Sequence, residues 1–143
     1  MGVRMEHAVF ASVTYSAMCP DCGAATECHG VQSLADGRVR WDVESTCSSC
    51  GFALALCGGD MPRERREQLL AEHGPVTLRV LGASSNNVVI MRVLRAELGI
   101  DLAATRAVLH SVLSGDCSGT LPEMEHMART LRASGITAVA TRA

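Results

Sequence analysis

Residues 19–23 read CPDCG and residues 47–51 read CSSCG, and these two stretches decide how the first half of the chain folds. Each places two cysteines two residues apart and follows them at once with a glycine. Thiols at that spacing on one tight turn present both sulfurs to a single tetrahedral ion, and the trailing glycine permits the positive φ such a turn requires. A single CxxC would be equally open to redox chemistry. Thioredoxin-type CxxC motifs, however, sit in a βαβ context, whereas both pairs here lie among strand-like sequence. The spacing therefore points to a zinc ribbon in which Cys19, Cys22, Cys47 and Cys50 hold one structural Zn²⁺. Four thiolates leave no coordination position for water or substrate, so this zinc is expected to support the fold.

The sequence around the two turns reads as β-sheet. Val39, Trp41 and Val43 alternate with Arg38, Arg40, Asp42 and Glu44, the pattern of a half-buried strand, and Asp36-Gly37 before them is a favoured hairpin dipeptide. Val9 through Tyr15 alternates ahead of the first turn, and Phe52, Leu54 and Leu56 alternate with small residues after the second. All four aromatic side chains (Phe10, Tyr15, Trp41 and Phe52) fall within this half. So few large side chains make too small a core to be secure without metal. Cys28 and Cys57 lie six and seven residues beyond the knuckle cysteines Cys22 and Cys50. They are either a second pair facing one another across the sheet, with His29 beside them, or small buried residues. Cys117 receives no role.

Charge is unevenly divided. Residues 1–60 carry three arginines against seven acids, and residues 61–143 carry ten against eight, for a net of −2 and no lysine anywhere. Four thiolates on zinc add further negative charge to the acidic half. Phosphate would be repelled there, so nucleic acid is not an expected partner. No run approaches the length of a membrane span, and AVFASVTYSAMC near the start is a poor signal-peptide core. Seven cysteines without an export signal are expected to be reduced thiols or metal ligands in the cytoplasm.

The organisation that follows is a zinc ribbon over residues 1–60, a linking helix over 61–74 and a second domain over 75–143. Asp60 as N-cap, Pro62 in the first turn and Gly74-Pro75 as the stop define the linking helix. Beyond it, a strand is expected over 76–82 and a helix over 85–99, ended by Gly99. Asp101 is expected to cap the next helix, which runs to about Leu113 with Gly115 as its stop. Thr120, Pro122 and Glu123 have capping-box spacing for a third helix to about Ala133, closed by Gly135. Residues 136–142 read as a final strand. The fold class is α+β, with the second domain in the order β-α-α-β-α-β and its helices on one face of a sheet.

Within that domain, NNVVIMRVLRAELGIDLAATRAVLHSVLSG and the later LRASGITAV resemble the C-terminal domain of the bacterial ribosomal stalk protein, which recruits translational GTPases. The likeness covers about residues 76–142. A related helix-on-sheet shape also occurs in the adaptor that feeds substrates to the Clp protease. In the stalk family, basic residues on the first two helices touch elongation and initiation factors. The resemblance places that role on Arg92, Arg95 and Arg106. It also marks departures: Asn87 and Ala103 stand where the family has basic residues, and Asp101 stands where it has glycine. The family's dimerisation helices and long hinge are replaced by the zinc ribbon.

No nucleophile pattern, phosphate-cradling glycine loop or HExxH motif occurs, and the five histidines are scattered. The chain is therefore expected to be a non-catalytic protein-binding module. Its partner is either a translational GTPase or another translation component, met through Arg92, Arg95 and Arg106, or a specific toxin, neutralised as an immunity protein or antitoxin would neutralise it.

Overall fold

The structure is a computed structural model that describes residues 7–81 and 86–142. Gly82 at the expected end of a strand, Ser85 at the expected start of a helix, the opening six residues and Ala143 lie outside the described residues. The chain is α+β and divides into two compact units, Met1–His73 and Gly74–Ala143. Among the described residues, no helix is long and apolar enough to cross a membrane.

The first unit is a four-stranded antiparallel meander of β1 (Val9–Met18), β2 (Ala25–Ala35), β3 (Arg38–Thr46) and β4 (Ala53–Gly59), in that spatial order, followed by helix α1 (Arg63–His73). Asp36 (φ 52°) and Gly37 (φ 74°) make the tight β2–β3 turn, both left-handed as a hairpin of this twist demands. One face of the sheet is apolar. On it Ala11, Val13 and Trp41 close a small core with Leu69 of α1, and Tyr15, Val43 and Met61 pack around them. The helix expected as a connector is thus part of this unit. It lies on β1: the Arg65 guanidinium sits 4.1 Å from the Tyr15 ring centroid. Gln68 Nε2 donates to the Thr14 carbonyl at 2.9 Å, and His73 Nε2 to that of Ser12 at 2.8 Å. Asp60 does not cap α1; the Pro62 carbonyl accepts from the N–H groups of Arg65 and Arg66 instead. Proline with the helical φ it already holds starts the first turn without an N–H to satisfy.

The second unit runs β5 (Val76–Val80), α2 (Asn87–Leu98), α3 (Leu102–Ser114), β6 (Ser118–Gly119), α4 (Leu121–Ala133) and β7 (Ala138–Arg142). Its three strands form an antiparallel sheet in the order β6-β5-β7. Val76, Leu78 and Ala138 from the sheet meet Ile90, Val93 and Leu94 of α2, Val112 of α3 and Met124, Met127, Ala128 and Leu131 of α4. The helix spacing of these aliphatic residues is what makes the core possible without a single aromatic. Four helix ends carry the signal read for them. Asp101 accepts from the Ala104 N–H at 2.7 Å, and Gly99 and Gly115 end α2 and α3 in the left-handed conformation. Thr120 and Glu123 make the full reciprocal capping box at the start of α4. Replacing Thr120 by alanine orphans the Glu123 N–H and is expected to lower the stability of this unit by about 1 kcal/mol. Urea unfolding followed by helical circular dichroism measures it.

Candidate metal centre and an arginine-lined groove

The two CxxCG turns are near-copies of one another at the same end of the sheet, one joining β1 to β2 and the other β3 to β4. In the first, the Cys19 N–H donates to the Ala24 carbonyl at 2.7 Å and the Gly23 N–H to the Cys19 carbonyl at 2.9 Å. The second repeats this: Cys47 to Phe52 at 2.8 Å and Gly51 to Cys47 at 2.9 Å. Gly23 and Gly51 hold φ of 75° and 80°, where a side chain is strained. Because the turns close alike, the four sulfurs converge within 4.8 Å of one another. Cys19 Sγ lies 3.7 Å from Cys50 Sγ, and Cys22 Sγ 3.6 Å from Cys47 Sγ. Four sulfurs around a tetrahedral ion with bonds of about 2.3 Å stand about 3.8 Å apart, so the observed spacing fits such an ion.

Electrostatics point the same way. Backbone N–H groups of Cys50 and Ser49 donate to the Cys47 sulfur and hold its thiol down to about 7. Cys50 also receives a backbone N–H, from Phe52, but lost hydration and the three neighbouring thiols push it up to about 12. Cys22 is raised as well; the Ala24 N–H favours its thiolate, but the Cys47 thiol and lost hydration outweigh that donor. Four thiols this close do not all ionise on their own, because each thiolate disfavours the next. A dication held by these cysteines would supply the missing counter-charge, and the N–H donors would stabilise the thiolates from outside.

Among the described residues, the remaining cysteines are not assembled into a second site. Cys28 stands opposite Ser45 in the β2–β3 ladder and is buried on the helix-covered face, where Ser45 Oγ donates to its sulfur at 3.4 Å. Cys57 stands opposite Asp42 and is exposed. Since directly paired residues share a face, His29, opposite Glu44, belongs with Cys57 on the other side of the sheet from Cys28. The reading in which Cys28 and Cys57 face one another is therefore corrected: they point to opposite faces from strands that β3 separates. Cys117 packs against the second core, and burial pushes its thiol up.

In the second unit, Arg92 and Arg95 stand exposed on α2 and border a groove of about 440 Å³ between α2 and α3. Val88, Met91, Ala96, Leu102 and Thr105 line the rest, so the depression is apolar and two exposed arginines contribute to its lining. Arg106 follows Thr105 on α3 and is exposed, but it is not one of the groove's lining residues. The arginines of α4, by contrast, are engaged within the chain: Arg129 and Arg132 reach Glu125 at 3.4 and 2.9 Å. Sequence periodicity identified the buried stripe of α2 and left Arg92 and Arg95 on its outer face. It carried no signal for the groove itself, which depends on how Leu102 and Thr105 meet α2.

A larger hollow of about 540 Å³ lies beside the metal turns, lined by Thr14, Tyr15, Ser16, Thr26, Thr46 and Ser48 with Glu27 and Ala25. Glu27 is the one acidic residue in that lining, and no histidine or second acid joins it there. Of the histidines on helices, His126 bonds Glu97 at 2.8 Å and ties α4 to α2, and His110 is exposed on α3. Compared with known protein families, curated proteins and solved structures, the chain finds no match.

Proposed function

We propose that the chain is a non-catalytic protein-binding module whose first unit is a zinc ribbon and whose second unit is a ribosomal-stalk-C-terminal-like domain. The ribbon's Zn²⁺, held by Cys19, Cys22, Cys47 and Cys50, is structural, since four thiolates complete its coordination. The binding surface is the groove between α2 and α3, and its partner is a translational GTPase or another component of the translation apparatus.

The observation that carries this reading is an apolar groove whose lining includes the exposed Arg92 and Arg95. Such a surface suits a segment that offers an apolar side chain to the groove and acidic groups to the arginines. Arginine forms bidentate contacts with carboxylates, and long-range attraction of opposite charge speeds encounter. Binding of this kind weakens as salt screens the charges. Arg106, exposed on α3 one residue beyond Thr105, adds a third positive charge to these two helices.

Affinity purification with the full chain, beside an Arg92→Ala/Arg95→Ala/Arg106→Ala variant, tests this. A translational GTPase recovered by the natural chain and reduced at least tenfold by the variant is the expected result. Recovery of one non-translational protein, equally strong with both chains, contradicts it and favours a toxin-neutralising partner held elsewhere on the surface.

A further inference from the structure

The two edges of the N-terminal sheet are treated very differently. At the β1 edge, α1 takes up backbone acceptors directly: the Ser12 and Thr14 carbonyls receive the His73 and Gln68 side chains. At the β4 edge, all seven residues, Ala53–Gly59, are exposed. Their sequence, ALALCGG, holds no charge and no proline, and Leu54 and Leu56 are 45% and 57% exposed. Proteins ordinarily blunt such an edge with charge, proline, a bulge or a covering element. Here a bulge enters only near the end of the strand, at Trp41/Asp42, where the Asp42 carboxylate accepts the Gly58 N–H at 2.8 Å. Residues 53–57 keep a regular register with β3 and leave their outer backbone groups free to form another ladder.

The geometry points to a second copy of this chain as the occupant of that edge, paired antiparallel through β4 about a two-fold axis at Ala55. Three features select a like copy. A two-fold axis normal to the sheet requires paired residues to share a face, so the register sum is even, and centring it on Ala55 overlaps all of residues 53–57. In that register Leu54 meets Leu56 of the other copy twice on one face, while Ala53 meets Cys57 and Ala55 meets itself on the other. No charge faces its own copy, which a self-pairing edge must avoid. Finally, α1 already engages the opposite edge, so pairing stops at two copies and yields a closed dimer. The result is a continuous eight-stranded sheet in which Leu54 and Leu56 are covered.

Sedimentation equilibrium of the zinc-loaded full chain tests this over about 1 to 500 µM, since mass action makes a dimer of this kind concentration-dependent. The expected mass rises from 15.1 kDa towards twice that value. Leu56→Lys, at an exposed position, is expected to remain monomeric throughout with its zinc content unchanged, as is Leu54→Glu. Mixing these two variants is expected to recover the dimer. The register sets the introduced lysine of one variant against the introduced glutamate of the other, and leaves Leu54 opposite Leu56 at the symmetry-related pair. A natural chain that stays at 15.1 kDa throughout overturns the proposal. So does a dimer that survives both substitutions, or a mixture of the two zinc-loaded variants that fails to associate.

Discussion

Stripping the metal with a chelator is expected to unfold the N-terminal unit while the C-terminal unit keeps its helices. The first unit's core is Ala11, Val13, Trp41 and Leu69 with a few half-buried neighbours, too little apolar surface to offset the entropy of ordering four strands. Structural zinc in small domains contributes an apparent 10–16 kcal/mol, roughly the whole stability of an ordinary domain or more. The second unit has no ligand in the cluster and a core of twelve buried residues, so it stands apart from this loss. Trp41 is the only tryptophan and is 5% exposed, which makes its fluorescence a reporter of the first unit alone. Chelation should shift its emission to the red while much of the helical circular dichroism persists, and Cys47→Ser should reproduce both effects. An emission spectrum unmoved by metal removal would show that the sheet stands without its ion.

Gly30→Ala is expected to destabilise the first unit strongly. The added Cβ would come 2.3 Å from Trp41 Cη2 and 2.5 Å from Cζ2, far inside contact distance. Gly30 lies opposite Val43 and Val13 on the apolar face, and the indole of Trp41 lies across its bare backbone. The ring is held by Leu69 from the helix, so it has little room to yield. Overpacking a filled core costs typically 1–3 kcal/mol, and a clash this close should cost about 3 kcal/mol. Denaturant unfolding of the zinc-loaded chain measures it. In a Trp41→Leu background the same alanine should cost under about 1 kcal/mol, because the atoms it strikes are gone; this coupling identifies the clash as the cause. An equal cost in both backgrounds would place the damage elsewhere.

What was legible in the sequence was whatever depends on local chemistry. The CxxCG turns specified their own hydrogen bonds and glycine conformations, and with them the convergence of four sulfurs. Asp101, Thr120 and Glu123 announced helix starts, and the glycines after α2 and α3 announced their ends. What was not legible depends on which surfaces meet. The alternation of Leu54 and Leu56 reads as a half-buried strand, yet β4 sits at the sheet's edge with both leucines exposed, because strand order is not encoded in alternation. The helix after β4 reads as a connector because its one buried residue, Leu69, leaves almost no amphipathic signature. Gly30 carries no turn signal, and only its position across from the residues around Trp41 explains it. Cys28 and Cys57 look paired by spacing, but an even offset for one and an odd offset for the other put them on opposite faces.

Cys19, Cys22, Cys47 and Cys50 are expected to hold one Zn²⁺ together, and the first unit to depend on it. X-ray absorption at the zinc edge, on protein purified without added chelator, tests it most directly. The expected result is one zinc per chain with a shell of four sulfurs at about 2.3 Å and no nitrogen or oxygen neighbour. A shell containing fewer sulfurs, or a folded first unit in which these cysteines carry no metal, would contradict it.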